Sequence, residues 1–116
     1  MGYDLRIVDH ADQGTELYYS INISGMQAFR SIMHTTKMGH WASEPGKGII
    51  LDKLATNDLL HVTVQECKEA IEALEAAGNI DPIIKENGID EFTRRYWDDF
   101  ALFIRRAVGH NGFIVG

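Results

Sequence analysis

Asp90-Glu91-Phe92-Thr93-Arg94-Arg95-Tyr96-Trp97-Asp98-Asp99-Phe100-Ala101-Leu102-Phe103-Ile104-Arg105-Arg106-Ala107-Val108-Gly109 is the stretch on which the fold turns. At about 100 degrees per residue it places Phe92, Tyr96, Trp97, Phe100, Phe103, Ile104 and Ala107 within one half of a helix circumference. Every charge from Glu91 to Arg106 falls in the other half. Asp90 is placed to cap the start and Gly109 to end the helix. An apolar face this wide and this aromatic exceeds what one neighbour covers. The helix is therefore expected to touch both a sheet and another helix.

The partners lie on either side of it. Downstream, His110-Asn111-Gly112 reads as a tight turn and Phe113-Ile114-Val115 as a strand returning to the sheet. At the other end of the chain, Tyr3, Leu5 and Ile7 alternate with Asp4 and Arg6, and Leu17, Tyr19, Ile21 and Ile23 alternate with Tyr18, Ser20 and Asn22. Two such segments joined by the polar, turn-rich Asp9 to Glu16 predict an antiparallel hairpin with one face buried.

Helices fill the middle. Ser24 and Gln27 have capping-box spacing, and Met26, Phe29, Ile32 and Met33 follow at helical intervals, so a first helix is expected from about Gly25 to Thr36, with Arg30 and His34 toward solvent. Thr63 and Glu66 offer a second capping box, with helix formers to Ala77 and Gly78 as terminator. Its acidic track, Glu66, Glu69, Glu72 and Glu75, reads as a solvated face or a docking strip for a basic protein surface. Ile49 to Leu51 and Leu59 to Val64 fit either a strand or a buried turn, and Ile83-Ile84 suggests one short helical turn. Taken together these elements predict an α+β fold for residues 1–116, one compact domain with a small antiparallel sheet covered by three principal helices.

Composition narrows function by exclusion. With 45% hydrophobic and 24% charged residues the chain lies in the globular range. Met1 to Val8 shows no basic-then-apolar leader and no window approaches a membrane span, so a cytoplasmic location without a membrane partner is expected. One cysteine, Cys67, suits a reducing compartment and a buried apolar role. A net charge of −6 argues against nucleic acid, whose backbone is bound through neutralising Lys and Arg.

No Walker A loop, dinucleotide fingerprint, His-Glu-x-x-His, Cys-x-x-Cys or Gly-x-Ser-x-Gly is present, so the reading favours a non-enzymatic protein with no cofactor. The richest candidate is the loop Lys37 to Gly48, where three glycines and a proline exclude a regular element and His40, Trp41, Ser43, Glu44 and Lys47 gather. His40, Trp41, Glu44 and Lys47 are taken as binding residues, with Trp41 the natural anchor. Leu102 joins them as the one apolar residue on the charged side of the last helix, whose Glu91–Arg95, Arg94–Asp98 and Arg95–Asp99 spacings predict self-pairing.

Asp9, His10, Asp12 and Glu16 fit turn chemistry better than a metal site, and no metal is expected; nor does anything require His34, His40, His61 and His110 to converge. The expected function is a protein-binding module engaging another protein or a second copy of itself. The rival is a small enzyme or ligand-binding domain using His40 and Glu44 as acid, base or orienting groups.

Overall fold

In a computed structural model, residues 2–8, 18–56 and 58–116 are described. Strands β1 (Gly2–Ile7) and β2 (Tyr18–Asn22) lead into helix α1 (Ile23–Thr36), two short strands β3 (Gly39–His40) and β4 (Ile49–Ile50), and a 3₁₀ turn (Leu51–Leu54). Strand β5 (Leu60–Val62), helices α2 (Val64–Ala77), α3 (Asp81–Glu86) and α4 (Arg94–Val108), and strand β6 (Phe113–Val115) complete the chain. The fold is α+β.

The main sheet is antiparallel throughout, in the order β2-β1-β6-β5. The hairpin and the closing strand meet as the sequence predicts, with Leu5 opposite Tyr19 on one side and Val115 on the other. The ambiguous Leu59 to Val64 segment supplies the fourth strand, its Val62 opposite Phe113. Because side chains alternate across a strand, Tyr3, Leu5, Ile7, Val62, Phe113 and Val115 all enter the core.

Helix α4 touches both layers. Its Phe100 stacks on Phe29 of α1 with centroids 4.9 Å apart, while Phe103 meets Phe113 of β6 edge-on at 5.2 Å. Trp97 also meets Phe29 at 5.4 Å, so the aromatic stripe joins sheet and helix in one cluster. Among the described residues, no helix is long and apolar enough to cross a membrane.

The structure corrects several local expectations. Helix α1 starts at Ile23, because Asn22 rather than Ser24 caps it by accepting from the Gly25 N–H at 2.7 Å. Arg30 does not face open solvent; half-buried, it donates to the Leu54 carbonyl at 2.6 Å. Asp90 caps a turn instead of a helix, holding Phe92 and Thr93, and α4 begins only at Arg94. Phe92 therefore lies outside the helical wheel and is 87% exposed.

Two charge readings also change. Arg94 does pair with Asp98 at 3.2 Å, but Glu91 lies in the turn and no Glu91–Arg95 pair forms; Arg95 instead sits over the Tyr96 ring. Glu66 leaves the acidic track altogether. As the third residue of α2 it turns back to complete the Thr63 capping box, and it is buried. The Asp9, His10, Asp12 and Glu16 reading falls outside the described residues.

Candidate functional site

The site is built where α1 stops. Lys37 takes a left-handed conformation at the helix end, with φ 66°, and turns the chain into β3. Strand β3 pairs in parallel with β4, Gly39 opposite Ile49 and His40 opposite Ile50. The Lys37 to Gly48 segment, expected to hold no regular element, thus contains a two-residue strand because the Met38 carbonyl accepts from the Ile49 N–H at 2.9 Å. What lies between becomes a closed loop.

That loop is fastened on several sides. The Glu44 carboxylate accepts from the Trp41 N–H at 3.0 Å and from His34 Nε2 at 2.7 Å, and the Glu44 N–H returns a bond to the Trp41 carbonyl at 3.0 Å. Asp52 accepts from the Ala42 N–H at 2.7 Å, and Glu69 of α2 accepts from the Gly48 N–H at 3.0 Å. A loop tied in this way presents its remaining side chains from a defined backbone.

Between the end of α1, the loop and the outer face of α2 lies an open groove of about 830 Å³. Lys37, His40, Glu44 and Lys47 line it as the loop's contribution, joined by His34 from α1 and by Gln65, Glu69 and Glu72 from α2. Its carboxylates are largely committed to the fold. The Trp41 N–H, and after it His34, hold the Glu44 carboxyl below the usual carboxylate range; the Gly48 N–H, and after it Gln65, do the same for Glu69. The side chains of Lys37, Lys47 and Glu72 make no hydrogen bond or ion pair among the described residues.

His40 is oriented. Its Nδ1 lies 3.0 Å from the Trp41 carbonyl and 3.2 Å from that of Glu44, both acceptors, which places a proton on Nδ1, so that in the neutral ring Nε2 carries the lone pair. A Cβ at Gly46 would fall 2.8 Å from the His40 Cβ and Cγ atoms, so this glycine lets the loop close against the imidazole.

Trp41 stands on the other side of the His34–Glu44 pair. It lines a hollow of about 330 Å³ with Gln27, Arg30, Ser31, His34 and Thr35, and is 36% exposed. His34 borders both depressions, while Glu44, its partner at 2.7 Å, lines the groove alone. The indole Nε1 makes no hydrogen bond among the described residues.

Leu102 belongs elsewhere. Though 43% exposed, it lines a separate hollow between α2 and α4 with Leu74, Glu75 and Arg105, and that hollow shares no residue with the groove. His61 bonds the Asn111 carbonyl and His110 is exposed beyond the end of α4, so of these four histidines only His34 and His40 line the groove. Among the described residues no three His, Cys, Asp or Glu side chains group as a metal ion requires.

His34, Glu69 and Glu72 are site residues that the loop's own composition does not disclose, and Lys37, its first residue, is one that the reading of the loop passed over. His34 sits about one turn before the loop. Glu69 and Glu72 stand in the acidic track, but their approach to the loop has no local signal, because it comes through the packing of α2 beside β4. Comparison with known proteins returns no match, whether to a family model, a curated protein or a solved structure.

Proposed function

We propose that this protein is a non-catalytic protein-binding module whose recognition surface is the fastened Lys37 to Gly48 loop and the groove beside it. The observation that carries this reading is the division of bonding labour within the loop. Backbone N–H groups and the carboxylates of Glu44, Asp52 and Glu69 hold it in place, while the Trp41 indole and the Lys37 and Lys47 ammonium groups keep their bonding capacity free. A pre-ordered loop avoids much of the entropy cost of binding, and a part-exposed Trp on the same loop as cations without ion pairs supplies an anchor and polar contacts. A partner segment that lays an apolar side chain against Trp41 and carboxylates against Lys37 and Lys47 engages the depressions on both sides of His34.

The test places a photo-crosslinking amino acid at position 47 or, as a control, at the exposed position Lys85. A polypeptide captured from 47 and not from 85, and lost when Trp41→Ala is added, supports the reading. Equal capture at both positions, or capture indifferent to Trp41, overturns it.

A second reading is favoured by His40 alone. With Nδ1 protonated and turned to backbone carbonyls, its Nε2 is the arrangement of a general base or hydrogen-bond acceptor, inside a groove of a size that small ligands use. Binding of a small carboxylate or phosphate compound that shifts the His40 imidazole resonances, with no polypeptide captured at 47, would establish this reading in place of the first.

A further inference from the structure

Phe92 is the most exposed large apolar residue among those described, at 87%. Its backbone is nonetheless fixed. Asp90 Oδ1 accepts from the Phe92 N–H, the Thr93 N–H and the Thr93 hydroxyl, each at 3.0 Å, and the Asp90 N–H donates to the Thr93 hydroxyl at 3.0 Å. An aromatic ring held in water on a tightly bonded turn is an anchor without a socket.

A socket opens next to it. A pocket of about 520 Å³ is lined by Thr93 and Tyr96, by Ile21, Gly25, Ala28, Phe29 and Ile89, and by the polar side chains of Ser20, Asn22, Ser24 and Asn87. Gly25 and Ala28 stand three residues apart on one helix face, and the Ile21 side chain packs over the Cβ position of Gly25. Phe92 does not line this pocket, although its chain neighbour Thr93 does. The ring and the cavity are adjacent features of one patch, neither filled by the other.

Charge gives the patch its partner. Glu91 makes no hydrogen bond or ion pair among the described residues, and Arg95 makes only its contact over the Tyr96 ring, at 5.4 Å from Cζ to centroid. Opposite charges left unused beside an exposed ring and a cavity are what a two-fold contact needs, since across such an axis whatever one copy offers the other receives. We infer that this patch binds a second copy of the chain in an isologous dimer, each Phe92 entering the other copy's pocket with Glu91 facing Arg95. The pocket shares no residue with the loop groove, so this inference stands or falls apart from the proposed function.

The experiment is sedimentation equilibrium over a concentration series of the full chain, for wild type, Phe92→Asp, Glu91→Arg, Arg95→Glu and the Glu91→Arg, Arg95→Glu double variant. A reversible dimer of the 13.1 kDa chain is expected for wild type, and a monomer for Phe92→Asp. Each single charge reversal should weaken dimerisation by about tenfold or more and the double reversal should restore it to within about threefold. Thermal unfolding of each variant confirms a folded chain, as substitutions at exposed positions allow. A wild type that stays monomeric, a dimer unaffected by Phe92→Asp, or a double reversal no better than the singles overturns the inference.

Discussion

Lys53 Nζ lies 2.5 Å from Glu66 Oε1, and this pair ties the start of α2 to the segments that precede it. The Glu66 carboxylate also accepts from the Ile50 N–H at 2.9 Å and the Thr63 N–H at 3.1 Å, while Lys53 donates to the His61 carbonyl at 2.7 Å. One carboxylate thus links β4, the 3₁₀ turn, β5 and the cap of α2. Glu66→Ala should destabilise by about 3 kcal/mol, since it removes a helix cap and strands a half-buried ammonium. Glu66→Gln, which keeps an acceptor for the backbone, should cost about half of that. Urea unfolding of the three proteins measures both.

The same residue imposes a pH dependence with a defined sign. Burial pushes the Glu66 carboxyl up, but the Ile50 N–H, Lys53 and the Thr63 N–H together outweigh it and hold the group below its ordinary value of 4.5. A depressed folded pKa makes the unfolded chain the better proton acceptor. The contribution is therefore complete above about pH 4.5 and is lost as pH falls through the lower folded value. The stability gap between wild type and Glu66→Gln should stay constant from about pH 7 to pH 5 and narrow below that, as read from urea midpoints. A gap that widens on acidification would contradict this assignment.

The two indoles should separate in fluorescence. Trp97 is 2% exposed within the aromatic cluster, whereas Trp41 is 36% exposed on the loop. Iodide should quench Trp97→Phe, in which only Trp41 emits, several-fold more strongly than Trp41→Phe. Adding Glu44→Ala to the Trp97→Phe protein should raise its quenching further, because Glu44 is the side chain that holds the Trp41 N–H.

Cys67 offers a probe of global opening. Burial pushes its thiol up to about 12, with the neighbouring Glu66 carboxylate adding to the effect. At pH 8 the native protein should resist iodoacetamide and react only after unfolding in urea, so that labelling follows the global transition. Rapid labelling without denaturant would show that α2 opens locally.

How far the sequence discloses this molecule depends on the range of the forces involved. Strand alternation and the apolar face of α4 from Trp97 onward are local patterns, and the structure follows them, while His40, Glu44 and Lys47 of the loop line one groove. Phe92 was misplaced because a wheel has no knowledge of where a helix begins, and the Asp90 turn delays α4 to Arg94. Glu66 looks like one more acid at three-residue spacing until Lys53 and the Ile50 N–H are brought to it. Its capping-box position was the available signal. Trp41 and Leu102 are exposed as residues of a binding surface would be, yet the path of the chain sets them on different surfaces.

Gly48 is where the site's geometry is most vulnerable. Its φ of +90° disfavours any L side chain, and a Cβ there would fall 2.0 Å from the Met38 carbonyl oxygen that accepts from Ile49. Its N–H also donates to Glu69, so relief of the clash would pull the loop away from α2. Gly88 separates the two effects, since its φ is +79° but nothing lies within 4 Å of its Cβ position. Gly88→Ala should therefore cost the conformational strain alone, about 1–2 kcal/mol. Gly48→Ala should cost about 3–4 kcal/mol by adding a backbone clash. If urea unfolding finds the two equally destabilised, the β3–β4 contact yields freely and the loop is less firmly held than its hydrogen bonds imply.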